Sequence, residues 1–217
     1  MGDSRYFSHS PTGIGSKPRT ISGIHPAHMD MIPADRPPKA PSDALLQTAR
    51  QAAVLVLLYP DEFQVLHTVF IRRAPDGGVH SGQIALPGGK LENGESYWQA
   101  ALRETEEEIG VDASAIEHVH TLSGVYIPPS NFWVQPFVGR LKEPASFFPD
   151  PAEVAEVIPT SLLHIHAWQP TTTRIQRGKS GELYEVPAFV QDQMTIWGAT
   201  AMMLREFQFW LHQTEIR

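Results

Sequence analysis

Apolar and polar positions recur with two different periods along this chain, and the change between periods marks most of its elements. Ala53 to Tyr59 and Val65 to Arg72 read as two strands, aliphatic and β-branched, joined by the turn Pro60-Asp61-Glu62. Pro75-Asp76-Gly77-Gly78 is a loop. Gln83 to Leu86 is short and extended, ending in a turn at Pro87-Gly88-Gly89. The period then becomes helical. Ser96 followed by Gln99 is a capping-box pattern, and Gly110 stands where a helix would stop. Between them Trp98, Ala101, Leu102, Thr105 and Ile109 fall on one side. At about 100° per residue, Glu104, Glu107 and Glu108 share an arc beside that side, while Glu106 points elsewhere. Three carboxylates are therefore expected to converge.

Downstream, Glu117 to Thr121, Phe132 to Leu141, Glu153 to Ile158, Arg174-Ile175 and Leu183 to Val190 read as strands, and Ser161 to His164 as a short helical turn. Thr195 to His212 reads as an amphipathic helix with Ile196, Ala199, Met203, Phe207 and Trp210 on one face. Strands flanking two helices predict an α+β (mixed α/β) sandwich. Residues 1–43 form a Pro/Gly-rich extension, about its first twenty flexible and the rest lying over the domain; residues 44–217 form the domain itself.

Composition narrows the classes. The longest apolar run, Ala52 to Tyr59, is far too short to cross a bilayer, and the amino terminus lacks the apolar core of a secretory signal. Tyr6 stands where a myristoylation signal needs Ser or Thr. The chain has no cysteine, which excludes disulfides, Cys-based zinc sites and thiol catalysis, and a reducing cytoplasm is the expected location. A net charge of −7 argues against broad nucleic-acid binding. The expected partner is a small molecule, with no nucleic acid and no membrane, and a homodimer is left open.

The acidic helix carries the chemistry. Like charges within about one turn repel, each pair costing roughly 0.2–0.5 kcal/mol. A hard divalent cation with oxygen ligands is the natural compensation. Taken alone, Glu106-Glu107-Glu108 would read as a solvated acidic face, but its surroundings are more specific. Gly89 to Val111 resembles the Nudix box, GX5EX7REUXEEXGU with U aliphatic: Gly89, Glu95, Arg103, Glu104, Glu107, Glu108, Gly110 and Val111 fit, and Thr105 replaces an aliphatic residue. The resemblance implies a Nudix-type α/β/α sandwich with a mixed sheet and flanking helices, acting as a Mg²⁺- or Mn²⁺-dependent diphosphatase. It implies Gly89 as a carbonyl ligand, Glu104 and Glu108 as chief side-chain ligands and Glu107 assisting. Glu95 is expected to pair with Arg103, holding the loop on the helix.

A second resemblance narrows the substrate. Val69 to Gly89, VFIRRAPDGGVHSGQIALPGG, resembles the upstream signature of coenzyme A diphosphatases, LLTXRSX3RX3GX3FPGG. Arg73, Ala74, Gly82, Pro87, Gly88 and Gly89 fit. Ile71 replaces the threonine and Gly78 the second arginine, for whose phosphate contacts neighbouring Arg72 or Lys90 could substitute. His80-Ser81-Gly82-Gln83 resembles the H-x-G-Q of bacterial members, and further similarity runs through Ile127 to Phe132, Glu153-Val154 and Ile196 to Ala201. The implied reaction splits coenzyme A or its derivatives into 3′,5′-ADP and a 4′-phosphopantetheine part, with Arg73, His80 and Gln83 as substrate contacts. A surface ion pair for Arg73, loop packing for His80 and backbone satisfaction for Gln83 are equal readings. Glu153 and Glu156 lie where many such enzymes place an extra carboxylate; either is a candidate general base or a strand-edge charge.

Weaker candidates are His164 and His166, spaced as ligands but lacking a third, and Gly13 to Lys17, too short for a phosphate loop. Tyr126, Phe132 and Trp133 could stack a base or fill the core. The rival functions are the same catalytic core on another nucleoside diphosphate derivative, such as ADP-ribose or a dinucleotide, and a catalytically silent Nudix-like binding module.

Overall fold

The computed structural model describes residues 24–34, 41–75, 82–176, 182–192 and 194–214. After a short helix α1 (Asp43–Thr48), the spine of the fold is β1 (Arg50–Pro60). Successive strand side chains point to opposite faces. Ala53, Leu55, Leu57 and Tyr59 enter one core cluster, whereas Ala52, Val56 and Leu58 enter another. An unbroken apolar run thus means a sheet covered on both sides.

The chain continues through β2 (Leu66–Arg73), β3 (Ile84–Ala85), β4 (Gly88–Lys90), α2 (Tyr97–Ile109), β5 (Glu117–Thr121), β6 (Val125–Ile127) and β7 (Phe132–Arg140). It closes with β8 (Val154–Ser161), α3 (Leu162–Ala167), β9 (Thr171–Gln176), β10 (Leu183–Gln191), β11 (Met194–Trp197) and α4 (Gly198–Thr214). The main sheet has the order β3-β2-β1-β7-β5, with β4 also on β1, β6 on β7 and β8 on β2. Only β1 and β7 run parallel among the described pairs, so the sheet is mixed. β9, β10 and β11 form a small antiparallel sheet of their own.

Helices cover both faces. Ala100, Ala101 and Ile109 of α2 join the cluster of Leu55 and Leu57. On the other side Ala201, Met203, Leu204, Phe207 and Leu211 of α4, with Leu162 and Ile165 of α3, join Val56 and Leu58. This is the helix–sheet–helix sandwich expected from the sequence. A 3₁₀ turn, Pro26–Met31, packs on α4, and Met31 is part of that same core.

Some boundaries differ from expectation. Gly88 and Gly89 do not form a turn: they pair in β4 with Val54 and Ala53 of β1. Two glycines read as a turn because they carry no side chain to declare a face, yet that absence is what lets them lie this close. A Cβ on Gly88, whose φ is 145°, would run into the backbone of Ala53 and Val54. The helix expected from Thr195 begins at Gly198, and Thr195 and Ile196 belong to β11, paired with β10. Ile196 satisfies both patterns because it is buried in either. The first 23 residues, including Gly13 to Lys17, lie outside the described residues.

The helix α2 is fixed at both ends. Ser96 and Gln99 make the full capping box, and Gly110 takes a left-handed conformation with φ 71°. Carbonyls left open in its last turn accept from the segment between β7 and β8: Phe148 N–H donates to Ile109 O at 2.8 Å and Asp150 N–H to Glu108 O at 3.1 Å. Thr105, fully buried, fills the aliphatic position and donates its hydroxyl to Ala101 O at 2.7 Å. A Cβ on Gly110 would press on Phe148 at 2.8 Å as well as straining φ. Gly110→Ala should therefore lower unfolding free energy by at least about 1 kcal/mol in denaturant titrations, and an unchanged midpoint would refute this account of the helix stop.

Candidate functional site

The carboxylates of Glu104, Glu108 and Glu153 come together, each offering a ligand oxygen within 4.8 Å of the others. Two come from α2, one turn apart on the same face. The third immediately precedes β8, at the end where the pairing with β2 slips: Arg72 faces Glu156 but Arg73 faces Val154. Such a bulge bends the strand and re-aims side chains at its rim. Glu153 O accepts from Ala74 N–H at 2.8 Å, which pins it to the end of β2.

Glu108 is the deepest of the three, at 1% exposure. One of its oxygens accepts from Gly88 N–H at 2.8 Å, and the other lies 3.5 Å from the Arg73 guanidinium. Burial pushes its carboxyl up to about 8; the Gly88 N–H and the Arg73 charge oppose this, and the Glu104 and Glu153 charges add to it. Burial raises Glu104 too, against its hydrogen bond from Arg103. Gly89 makes room for it: a Cβ there would overlap the Glu104 carboxylate.

Arg103 is the brace. It donates to Glu95 Oε1 at 3.0 Å and Oε2 at 3.2 Å, to Glu104 at 3.0 Å, to Glu107 at 2.9 Å and to Lys90 O at 2.9 Å. One planar fork thereby joins β4, the loop and the helix. Its hydrogen bonds hold Glu95 below the usual carboxylate range, and the same pairing raises Arg103.

Of the residues expected to converge, Glu104 and Glu108 do so. Glu107 does not: at 58% exposure it turns outward into its ion pair with Arg103, four residues back on the helix. The i,i+4 pair holds Glu107 outward, where an inward rotamer would add a fourth like charge to the trio. Glu106 is exposed as expected. Gln83 O accepts from Arg73 N–H at 3.0 Å, so its backbone shapes the end of β2. Glu156 is held by Arg72 at 2.8 Å and stands apart from the carboxylate trio. His80 and Gly78 lie outside the described residues.

The weaker candidates settle into other contacts. His166 stacks on His212 with ring centroids 3.9 Å apart. Phe132 lies under the Arg50 guanidinium, and Tyr126 donates to Asn131 at 3.1 Å.

A NUDIX domain family model matches residues 49–184, a span from β1 into β10 that includes the trio. The chain belongs to the Nudix family. It is similar to Nudix hydrolase 15, mitochondrial, of Arabidopsis thaliana, 32% identical over 163 residues covering 71% of this chain and 56% of that protein. The chain therefore spans little more than half the length of that plant relative. It is also similar to the Nudix hydrolase NudL of Escherichia coli, 30% identical over 72% of this chain and 80% of that one. Among solved structures, the Nudix hydrolase RenU of M. smegmatis is 26% identical with a TM-score of 0.45, covering 52% of this chain and 71% of its own.

The raised Glu108 gives this Nudix site a pH signature. With a folded value of about 8 against an ordinary 4.5, protonated Glu108 favours the fold below about pH 4.5, and that contribution is lost as pH rises through 8. A divalent cation competes with that proton, so its grip strengthens over the same window. The rise in melting temperature caused by Mg²⁺ should be larger near about pH 9 than near about pH 6; equal rises would speak against an ion at Glu108.

Proposed function

We propose that this Nudix chain is a divalent-metal-dependent diphosphatase acting on coenzyme A or a close derivative. The observation that carries the catalytic part is the meeting of Glu104, Glu108 and Glu153 beside a glycine that no side chain could replace. Their donors are hard carboxylate oxygens, crowded and partly desolvated, which fits Mg²⁺ or Mn²⁺ better than a soft metal. Glu104, Glu108 and Glu153 would hold the ion, with the carbonyl of Gly89 as a further oxygen donor. When bound, the ion supplies positive charge against the phosphoryl oxygens and acidifies the attacking water.

The chain's own residues do the positioning. Gly88 N–H and Arg73 orient Glu108, while Arg103 orients Glu104 and is itself tied down by Glu95. Glu107, on the far side of Arg103, completes that brace from solvent. Arg73, at 34% exposure, offers its guanidinium to a phosphoryl oxygen of the substrate, with Gln83 and His80 as further contacts. Glu153, exposed at the rim, is the candidate to take a proton from water at the carboxylate oxygen that it does not give to the ion. Water attacks one phosphorus, the bond to the bridging oxygen breaks, and 3′,5′-ADP and the phosphopantetheine portion leave.

Support for coenzyme A rests on the stretch from Val69 to Gly89. Its Arg73 lies against Glu108, its Gly88 donates to the same carboxylate, and its Gly89 borders Glu104. The departure at Ile71 has a packing explanation: the residue is wholly buried in the core beneath α2 and has no route to a ligand. Gly78 in place of an arginine favours the rival reading, another nucleoside diphosphate derivative with less demand on a 3′-phosphate.

Glu108→Gln should reduce turnover by at least about 100-fold while circular dichroism and melting show a folded chain. A panel of coenzyme A, dephospho-coenzyme A and ADP-ribose, with Mg²⁺ and with chelator, tests the substrate. Preference for coenzyme A with Mg²⁺ supports the proposal, indifference to the 3′-phosphate favours the rival, and no hydrolysis of any member favours a silent module.

A further inference from the structure

On the face opposite the carboxylate trio, a second group of ligating side chains comes together. His25, His28 and Glu206 each offer a ligand atom within 4.8 Å of the others. They come from sequence-distant elements. His25 is the N-cap of the 3₁₀ turn Pro26–Met31 and His28 lies within it; Glu206 is on α4. Both imidazoles reach α4: the His25 ring meets Phe209, and His28 bonds Glu206. Their ring centroids are 5.6 Å apart.

The group is built rather than scattered. His28 is 2% exposed and Glu206 is buried. His28 Nε2–H donates to Glu206 Oε2 at 2.7 Å, and Ser123 N–H donates to the other oxygen, Oε1, at 2.8 Å. His25 Nδ1 accepts from Ala27 N–H at 3.2 Å, and its ring meets Phe209 edge-on. Backbone N–H groups thus orient His25 and Glu206 from outside the group, as outer partners orient the ligands of metal sites, and Glu206 in turn holds His28. The segment has other anchors: Asp30 pairs with Arg205 at 2.8 Å and Met31 sits in the core.

We propose that His25, His28 and Glu206 form a site for a borderline transition-metal ion of the Zn²⁺ class. Two imidazoles and one carboxylate are a donor set that Zn²⁺ takes with water in its fourth position. It is a poor set for Mg²⁺, which prefers oxygen. Binding replaces the proton shared by His28 and Glu206 with the metal, which then clamps the segment before α1 onto α4 and the Ser123 backbone. This site is independent of the proposed diphosphatase activity.

The test uses the full chain carrying Glu108→Gln, which weakens the carboxylate trio as a competing site. Chelator-treated protein is titrated with Zn²⁺ by calorimetry, and Co²⁺ is used as a spectroscopic probe. The expected result is one tight equivalent of Zn²⁺ and the visible bands of low-coordinate Co²⁺. Adding His25→Ala, which spares the His28–Glu206 pair and the Asp30–Arg205 pair, should weaken Zn²⁺ by at least about tenfold and abolish those bands. If that variant does not fold, His28→Gln, which keeps a donor for Glu206, replaces it with the same expectation. No Zn²⁺ equivalent in the parent, or an equivalent that survives both changes, overturns the proposal and leaves the group as a hydrogen-bonded staple.

Discussion

A carboxylate with almost no solvent, set beside two others of the same sign, is unfavourable unless something holds it ionised, and the site around Glu108 is organised by that constraint. Burial raises its pKa, and the nearby Glu104 and Glu153 raise it further. What opposes the rise is modest: one backbone N–H and one guanidinium at 3.5 Å. Breaking a buried ion pair typically costs about 3–5 kcal/mol, yet leaving such a group under-compensated costs a comparable amount. An arrangement like this is stable at neutral pH only with protons or with a cation from outside. The backbone around it serves the same end. Gly88 can donate to Glu108 because no Cβ separates β4 from β1, and Gly89 admits the Glu104 carboxylate for the same reason.

Arg103 solves the other half of the problem. Glu108 and Glu104 are like charges one turn apart, and the hydrogen bond from Arg103 favours the ionised form of Glu104. The guanidinium holds it from the solvent side while gripping Glu95 and the Lys90 carbonyl, so that helix, loop and strand share one anchor. Glu107 belongs to this brace and not to the trio. Its outward position leaves the inner space to Glu153, which reaches it through the bulge between β2 and β8.

The parts visible in the sequence are those fixed by local spacing. The run Ala53 to Tyr59, the Ser96–Gln99 capping box, Gly110 as helix stop and the Glu95–Arg103 pair are each written in residues within a dozen positions of one another. What local spacing could not fix depends on partners far along the chain. Glu104 and Glu107 both lie on the right arc of the helix and both bond Arg103, so their spacing does not say which one turns inward. Glu153 enters through a register slip against β2, some eighty residues upstream, and no periodicity in either strand announces it. Gly88 and Gly89 resemble a turn by composition but pair as a strand, where a Cβ on Gly88 would meet Ala53 and Val54 of β1 and one on Gly89 would meet Glu104. His25 and His28 share one short turn, yet their third companion, Glu206, reads as one polar position on an amphipathic helix.

Two buried glutamates, one on each side of the sheet, show how surroundings decide the ion a site would accept. Glu206 is also desolvated, but the hydrogen bonds from His28 and Ser123 outweigh its burial and hold its carboxyl below the usual range. Its Oε2 already accepts a hydrogen bond from the His28 imidazole N–H. A metal there must displace that proton and bind nitrogen, which favours Zn²⁺-class ions and disfavours Mg²⁺. Among the described residues, the ligating groups gathered at Glu108 are the carboxylates of Glu104 and Glu153, oxygens of like charge. Only a hard cation relieves that crowding while accepting carboxylate donors alone. Donor chemistry therefore separates the two groups more sharply than distance does: the helix α2 face suits an ion that must also hold phosphoryl oxygens, and the α4 face suits one that fastens a segment in place.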